Sequence, residues 1–343
     1  MFNATRLTIA RKRNGLTMTA LAEAIGMSPR SGSAYETAVK PPPEVLGRIA
    51  ETLGFPLEIF SGPDLDTPLA STVSFRAMSK MSAIERDRAL SQGALALELN
   101  QWIEERFDLP ASQLPDLSQE TDPEAAATSL RQRWGLGEVP IKNMIHLLES
   151  KGVRVYSLAI DSVTVDAYLY WHNETPFVFL NTRKSAERSR FDAAHELGHL
   201  ILHRHARKEE TRLAEDEANQ FASAFLMPRA GTLARSPRFV TVQSLIDRKR
   251  YWIVSVAALT HRLHKRGIAN AWQPRHLSAE IGKLGYRTSE PEPAPRETSQ
   301  LLSKVLTSLR EESLPQRDIA RSLNYPLSEL EQLIFGLTIM AIE

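Results

Sequence analysis

FDAAHELGHLILHRH, residues 191–205, places four histidines within eleven positions. His195-Glu196-Leu197-Gly198-His199 fits the pattern H-E-x-x-H. On a helix, positions i and i+4 share one face, about a turn apart. His195 and His199 can therefore aim two imidazoles at one ion from a rigid rod. Glu196 leaves the axis ~100° away from His195, so it flanks such an ion instead of binding it and can take a proton from the water the ion activates.

A catalytic zinc site takes a third protein ligand and keeps one position open. His205 stands at the offset of a third histidine in the longer H-E-x-x-H-x-x-G-x-x-H pattern. Leu202 occupies the glycine position there, so the helix is expected to continue and His205 to face solvent. His203 lies one turn beyond His199, and a helix is too straight for three successive turns to converge on one ion; it reads as a supporting or packing residue. The next helical stretch, RLAEDEANQFASAFLMP (212–228), offers a better ligand. Glu215, Ala218, Asn219 and Ala222 share a face at i, i+3, i+4 and i+7. Its alanines permit a close helix–helix approach, Glu215 can bind the ion, and Asn219 can orient a ligand histidine through its free ring nitrogen. Glu217, the competing ligand, lies on roughly the opposite face with Phe221.

An active site also needs a donor for a developing oxyanion. Tyr168, Tyr170 and His172 lie on or beside the strand before the site helix, and strand alternation puts both tyrosines on one face. Tyr168 and Tyr170 are taken as catalytic candidates, although packing of a sheet would explain them equally well. An exposed sheet edge would let an extended peptide add as a strand.

Outward from this stretch, the 343 residues are enough for two or three domains. The 42 basic and 41 acidic residues nearly cancel, so a nucleic-acid reader would need a local basic surface. The absence of cysteine excludes disulfides, thiolate metal sites and a cysteine nucleophile. No run of 18 apolar residues and no signal-peptide pattern is present, so a cytoplasmic protein with no membrane partner is expected. Helical periodicity fills 1–62, 82–107, 124–134, 141–151 and most of the chain after Glu187, with breaks at 61–71, 110–123 and the proline-rich 288–295. Val153–Leu158, Ala167–Trp171 and Phe177–Leu180 read as strands, and His172-Asn173-Glu174-Thr175 can close a hairpin between the last two. The expected fold is mainly α with a small β-sheet (α+β). Its parts are 1–62, 63–123 as a helical connector, 124–290, and 291–343 as a C-terminal helical module.

LTMTALAEAIGMSPRSGSAYE (16–36) reads as helix, turn, helix. Thr17 can cap the first helix, Gly26 can make the left-handed turn, and Ser28 with Pro29 can start the second. In the helix-turn-helix layout the second helix enters the major groove. Arg30, Ser31 and Ser33 would then face DNA, with Lys40, Arg11, Lys12, Arg13 and Arg48 near phosphates. A small bundle used for dimerisation is the competing account, and Gly32 weakens the second helix.

RFDAAHELGHLILH, EDEANQFASAFLMP, YWIVSVAALTHRLHKRGIA (251–269) and GYRTSEP (285–291) together resemble an XRE-type helix-turn-helix regulator fused to an ImmA/IrrE-type zinc metallopeptidase. The resemblance implies a zincin-like metallopeptidase core at 124–290 and an XRE-type domain at 1–62. It puts zinc ligands at His195, His199 and Glu215, with Glu196 as the general base; Mn2+ is the alternative ion. It also implies a helix-turn-helix repressor as protein substrate, in a stress or mobile-element response. Met18 departs from the pattern, standing where such regulators often carry a DNA-contacting Gln. The alternative function is a DNA-binding transcriptional regulator whose zinc domain senses without cutting. The segment LPQRDIARSLNYPLSELEQLIFG (314–336) has similar spacing but few basic residues, and reads as a packing or homodimer module.

Overall fold

A computed structural model describes residues 2–37, 39–68, 81–158, 166–204, 211–236, 240–265, 273–286 and 288–338. The chain opens with four short helices, α1 (Ala4–Arg13), α2 (Met18–Ala24), α3 (Pro29–Glu36) and α4 (Pro43–Leu53), followed by a 3-10 turn at Leu57–Ser61. Short polar side chains start them. Asn3 accepts from the Thr5 and Arg6 amides, Thr17 from Ala20 N, and Ser28 from Ser31 N with Pro29 in the first turn. Gly26 makes the α2–α3 turn at φ 70°. Gly32 has a packing reason to be glycine: a Cβ there would lie 2.9 Å from the Ala22 Cβ, so α2 and α3 meet only without it. Leu7, Ala10, Leu21, Ile25, Ile49 and Leu53 close the core of this bundle.

The long helix α5 (Ala83–Glu104) follows, started by a reciprocal capping box between Ser82 and Glu85. It is buried along most of its length and lies between the N-terminal bundle and the sheet. Arg6 of α1 donates to Glu98 at 2.5 Å, and Gln92 donates to the Ser157 carbonyl at 3.0 Å. Next come α6 (Pro123–Arg133) and α7 (Met144–Ser150), capped by Asp122 and Asn143.

The sheet holds β1 (Arg154–Ser157), β2 (Ala167–His172) and β3 (Thr175–Leu180) in the order β1-β3-β2. β2 and β3 form the expected antiparallel hairpin, with His172 opposite Thr175, and β1 runs parallel to β3. Asn173 and Glu174 both adopt positive φ, 45° and 66°, the mirror-image turn that suits the twist of a two-residue hairpin. One face carries Tyr156, Tyr168, Phe177 and Phe179, whose rings stack, and it packs on α5. Alternation turns Leu169 and Trp171 to the other face, where α8 (Ala186–Leu202) packs.

α8 and α9 (Thr211–Leu226) form the most extensive helix pair. Gly198 makes this possible: a Cβ there would lie 3.0 Å from Phe221 Cδ1 and 3.3 Å from Ala218 Cα. Ala218 and Ala222 are fully buried in the seam. α9 stops before Met227-Pro228, where buried Arg131 donates to the Phe225 carbonyl at 2.5 Å. The chain continues through α10 (Arg229–Ala234), α11 (Val242–Trp252), α12 (Val256–Lys265), α13 (Gln273–Lys283), α14 (Gln300–Glu311), α15 (Gln316–Ser322) and α16 (Leu327–Ile334). The last helices fold back onto the beginning of the chain. The Tyr325 hydroxyl donates to Glu98 at 2.5 Å, and Arg13 of α1 donates to Glu329 at 2.7 Å. Among the described residues no helix is long and apolar enough to cross a membrane.

Candidate metal centre

α8 and α9 cross so that the side chains of one turn of each meet. His195 Nε2 lies 3.1 Å from His199 Nε2, and Glu215 Oε2 and Oε1 lie 3.4 Å and 3.2 Å from those two nitrogens. One ligand atom from each of the three residues falls within 4.8 Å of the others. Among the described residues no other His, Asp and Glu cluster offers three ligand atoms so close together. The set is two imidazole nitrogens and one carboxylate, open to borderline divalent ions.

Local sequence explains the arrangement. The i, i+4 spacing stacks the two imidazoles, and Gly198 between them lets α9 approach near enough for Glu215 to reach both. The ring nitrogens that face away are also engaged. His195 Nδ1 donates to Asn219 Oδ1 at 3.2 Å, and His199 Nδ1 lies 2.9 Å from His203 Nδ1. His203 is the residue at which α8 ends, so its ring turns back over His199. Glu217 approaches His203 Nε2 at 2.9 Å, on the side away from the three clustered groups.

Electrostatics prepare the cluster for a cation. Burial alone would lower the His195 pKa, but the Glu215 hydrogen bond and the charges of Glu196, Glu215 and Asp192 outweigh it and raise it. At His199 burial dominates and pulls the pKa down to about 4, against the Glu215 hydrogen bond. Burial would raise Glu215, yet its two histidine partners hold it well below the usual carboxylate range. At neutral pH Glu215 is therefore anionic and His199 neutral, the protonation states that ligation requires, while the raised His195 must give up its proton to a bound ion. Glu196 is buried beside them, at 3 % exposure.

Residues 148–264 match the IrrE N-terminal-like domain, a peptidase family. Residues 7–60 match a helix-turn-helix family. The chain thus joins a helix-turn-helix module to an IrrE-like domain. No curated protein matches it.

A cleft of about 1120 Å³ is lined in part by Asn219, the partner of His195, with Phe191, Lys184, Arg188, His261 and Glu290. Asp192, one turn before His195, is a group that the sequence did not single out. Burial pushes its carboxyl up to about 7, with Arg188 opposing. Its i, i+3 spacing from His195 was the available signal.

The tyrosine assignments are corrected. Tyr168 is fully buried, stacks on Phe179 with ring centres 4.4 Å apart, and donates its hydroxyl to the Ala89 carbonyl at 2.9 Å. Tyr170 and His172 share that sheet face, and His172 sits 3.5 Å from Asp66. All three point toward α5 and the segment after the N-terminal bundle, on the opposite side of the sheet from α8. The parity that groups two residues on one face does not say which face the helix covers.

In the helix-turn-helix module Arg30 and Lys40 are exposed. Ser31 and Ser33 are half-buried, and the Ser31 hydroxyl pairs with that of Ser28 at 3.0 Å. Arg11 and Arg13 are not surface cations. Arg11 is buried against Glu36 and the Leu16 carbonyl, and Arg13 against Glu329 and Gln332. Lys12 is engaged with Asp87 at 3.2 Å, and Arg48 with the Ile25 carbonyl at 3.1 Å. His205, expected at the surface, lies outside the described residues.

Proposed function

We propose that the chain is a zinc-dependent endopeptidase tied to transcriptional regulation, with a helix-turn-helix repressor as its substrate. The observation that carries the proposal is the meeting of His195, His199 and Glu215 across the α8–α9 seam, with Glu196 on the same turn. Two imidazoles and a carboxylate suit zinc and leave room for a fourth, exchangeable position, and manganese is the alternative ion. When bound, such an ion supplies Lewis acidity that polarises a peptide carbonyl and makes water a better nucleophile. The protein does the rest. Glu196 takes the proton from the attacking water and passes it to the departing amine. Asn219 and His203 hold the two imidazoles in orientation. The adjoining cleft receives the polypeptide, and β2, an end strand of the sheet, offers an edge along which an extended segment can pair. The N-terminal module brings the enzyme to DNA, or to a repressor seated there, through Arg30, Ser31, Ser33 and Lys40.

The test is incubation of metal-loaded protein with the helix-turn-helix protein encoded beside its gene, followed by mass spectrometry of the products. Wild type is expected to give a discrete cut. Glu196→Gln is expected to keep about one zinc per chain and to lose about 10²- to 10⁴-fold in cleavage rate, while His195→Ala loses the metal. Cleavage by Glu196→Gln at the wild-type rate would refute the peptidase. A second reading, a DNA-binding regulator whose metal domain senses without cutting, is favoured by the ion pairs that tie α1 to α5 and α16; metal-dependent DNA affinity with no proteolysis would select it.

A further inference from the structure

We infer that Glu217 is a positioning residue for the metal centre, acting through His203 to decide which nitrogen of His199 is left bare. The inference rests on the metal site proposed above. The geometry is a chain of close contacts. Glu217 Oε2 lies 2.9 Å from His203 Nε2, His203 Nδ1 lies 2.9 Å from His199 Nδ1, and His199 Nε2 faces Glu215 Oε1 at 3.2 Å.

Proton bookkeeping along this chain allows one arrangement that suits ligation. For His199 Nε2 to offer a lone pair, the single proton of the neutral ring must sit on Nδ1. That proton needs an acceptor, and the atom facing it is His203 Nδ1, which must then carry no proton. The proton of His203 is thereby placed on Nε2, where the Glu217 carboxylate receives it. With Glu217 absent, nothing holds the His203 proton on Nε2. If it moves to Nδ1, His203 becomes the donor toward His199, whose own proton is driven to Nε2, the atom required for the ion.

The backbone supports this role. α8 ends at Leu202, and His203 leaves helical geometry at φ −118° and ψ 23° while its amide still bonds the His199 carbonyl. The break brings its ring to 5.0 Å from that of His199. The His203 side chain is 11 % exposed, so water competes weakly for the pair. The two ligand histidines are thus held differently. His195 rests on a neutral amide, and His199 on an imidazole backed by a carboxylate.

Zinc affinity of the full-length protein, measured by competition with a chromophoric chelator, tests this without reference to cleavage. Glu217→Ala is expected to bind zinc about 10- to 100-fold more weakly. Glu217→Gln retains an oxygen acceptor and is expected to recover most of that loss. His203→Phe should match Glu217→Ala, and the double variant should be no worse than His203→Phe alone, because both break one chain. Wild-type affinity in Glu217→Ala overturns the inference. So does a Glu217→Gln loss as large as that of Glu217→Ala, or additive losses in the double variant. If His195→Ala binds zinc as well as wild type, the metal site itself is refuted and the relay falls with it.

Discussion

Two pairs of helices in this chain are joined by the same device and serve different ends. In α2–α3, Gly32 meets Ala22; in α8–α9, Gly198 meets Ala218 and Phe221. Each seam closes because a glycine leaves out the side chain that would hold the helices apart. In the first seam the polar residues of α3 stay at its outer side, half-buried or exposed. In the second they are drawn inward and face one another at hydrogen-bonding distances while almost fully buried. Burying two histidines and two glutamates is costly unless each finds a partner. Close approach therefore produces a chemical centre only where charged groups are built into the seam. Where they are not, it produces a rigid, outward-facing surface.

The same substitution in both seams should separate these roles. Gly198→Val is expected to destabilise the fold by about 1–3 kcal/mol through overpacking and, by pushing Glu215 away from the histidines, to weaken zinc binding strongly. Gly32→Val should carry a similar stability cost and leave zinc binding as in wild type. Denaturant unfolding combined with a zinc titration decides it, and equal zinc affinity in the two variants would erase the distinction. A smaller effect is expected on the outward-facing seam. Arg30→Ala should weaken DNA binding and reduce its salt dependence by about one phosphate contact. A mobility shift of unchanged salt slope would remove Arg30 from the interface.

The smallest effect concerns Asp192, at the edge of the buried seam. Its carboxyl is raised to about 7 in the folded protein, mainly by burial. Unfolded, it titrates near ~3.9. A group raised in this way favours the fold at low pH, and that contribution is lost as pH climbs from the unfolded value through the folded one. Asp192→Asn in metal-free protein should therefore raise Tm by a few degrees at pH 8, with the gain fading toward pH 4. A pH-independent difference in melting temperature would show that the carboxyl is not held in this way.

The elements that depend on neighbouring residues were legible in the sequence. Thr17, Ser28 and Pro29 start helices where expected, Asn173-Glu174 closes the hairpin, and α9 stops before Met227-Pro228. The convergence of His195, His199 and Glu215 was legible too, because two helical periods and a run of small residues leave little freedom in how α8 and α9 meet. What escaped depends on distant partners. The side of the sheet on which Tyr168 lies is decided by α5, some 79 positions earlier in the chain. Arg11 and Arg13 have the composition of phosphate contacts, and only the tertiary fold reveals the carboxylates that claim them. Glu217, set aside as a ligand, acquires a place only once the end of α8 turns His203 toward it.

The ion pair between Arg13 and Glu329 joins residues 316 positions apart. It is nearly sealed from solvent, with 3 % and 12 % of the two side chains exposed. Trimming α16 would strand a buried guanidinium without Glu329 and Gln332, and the first helix of the helix-turn-helix module would be the one to loosen. The Leu327–Ile334 helix thus acts as a latch on the Ala4–Arg13 helix, and a protease that nicked the one would unsettle the other.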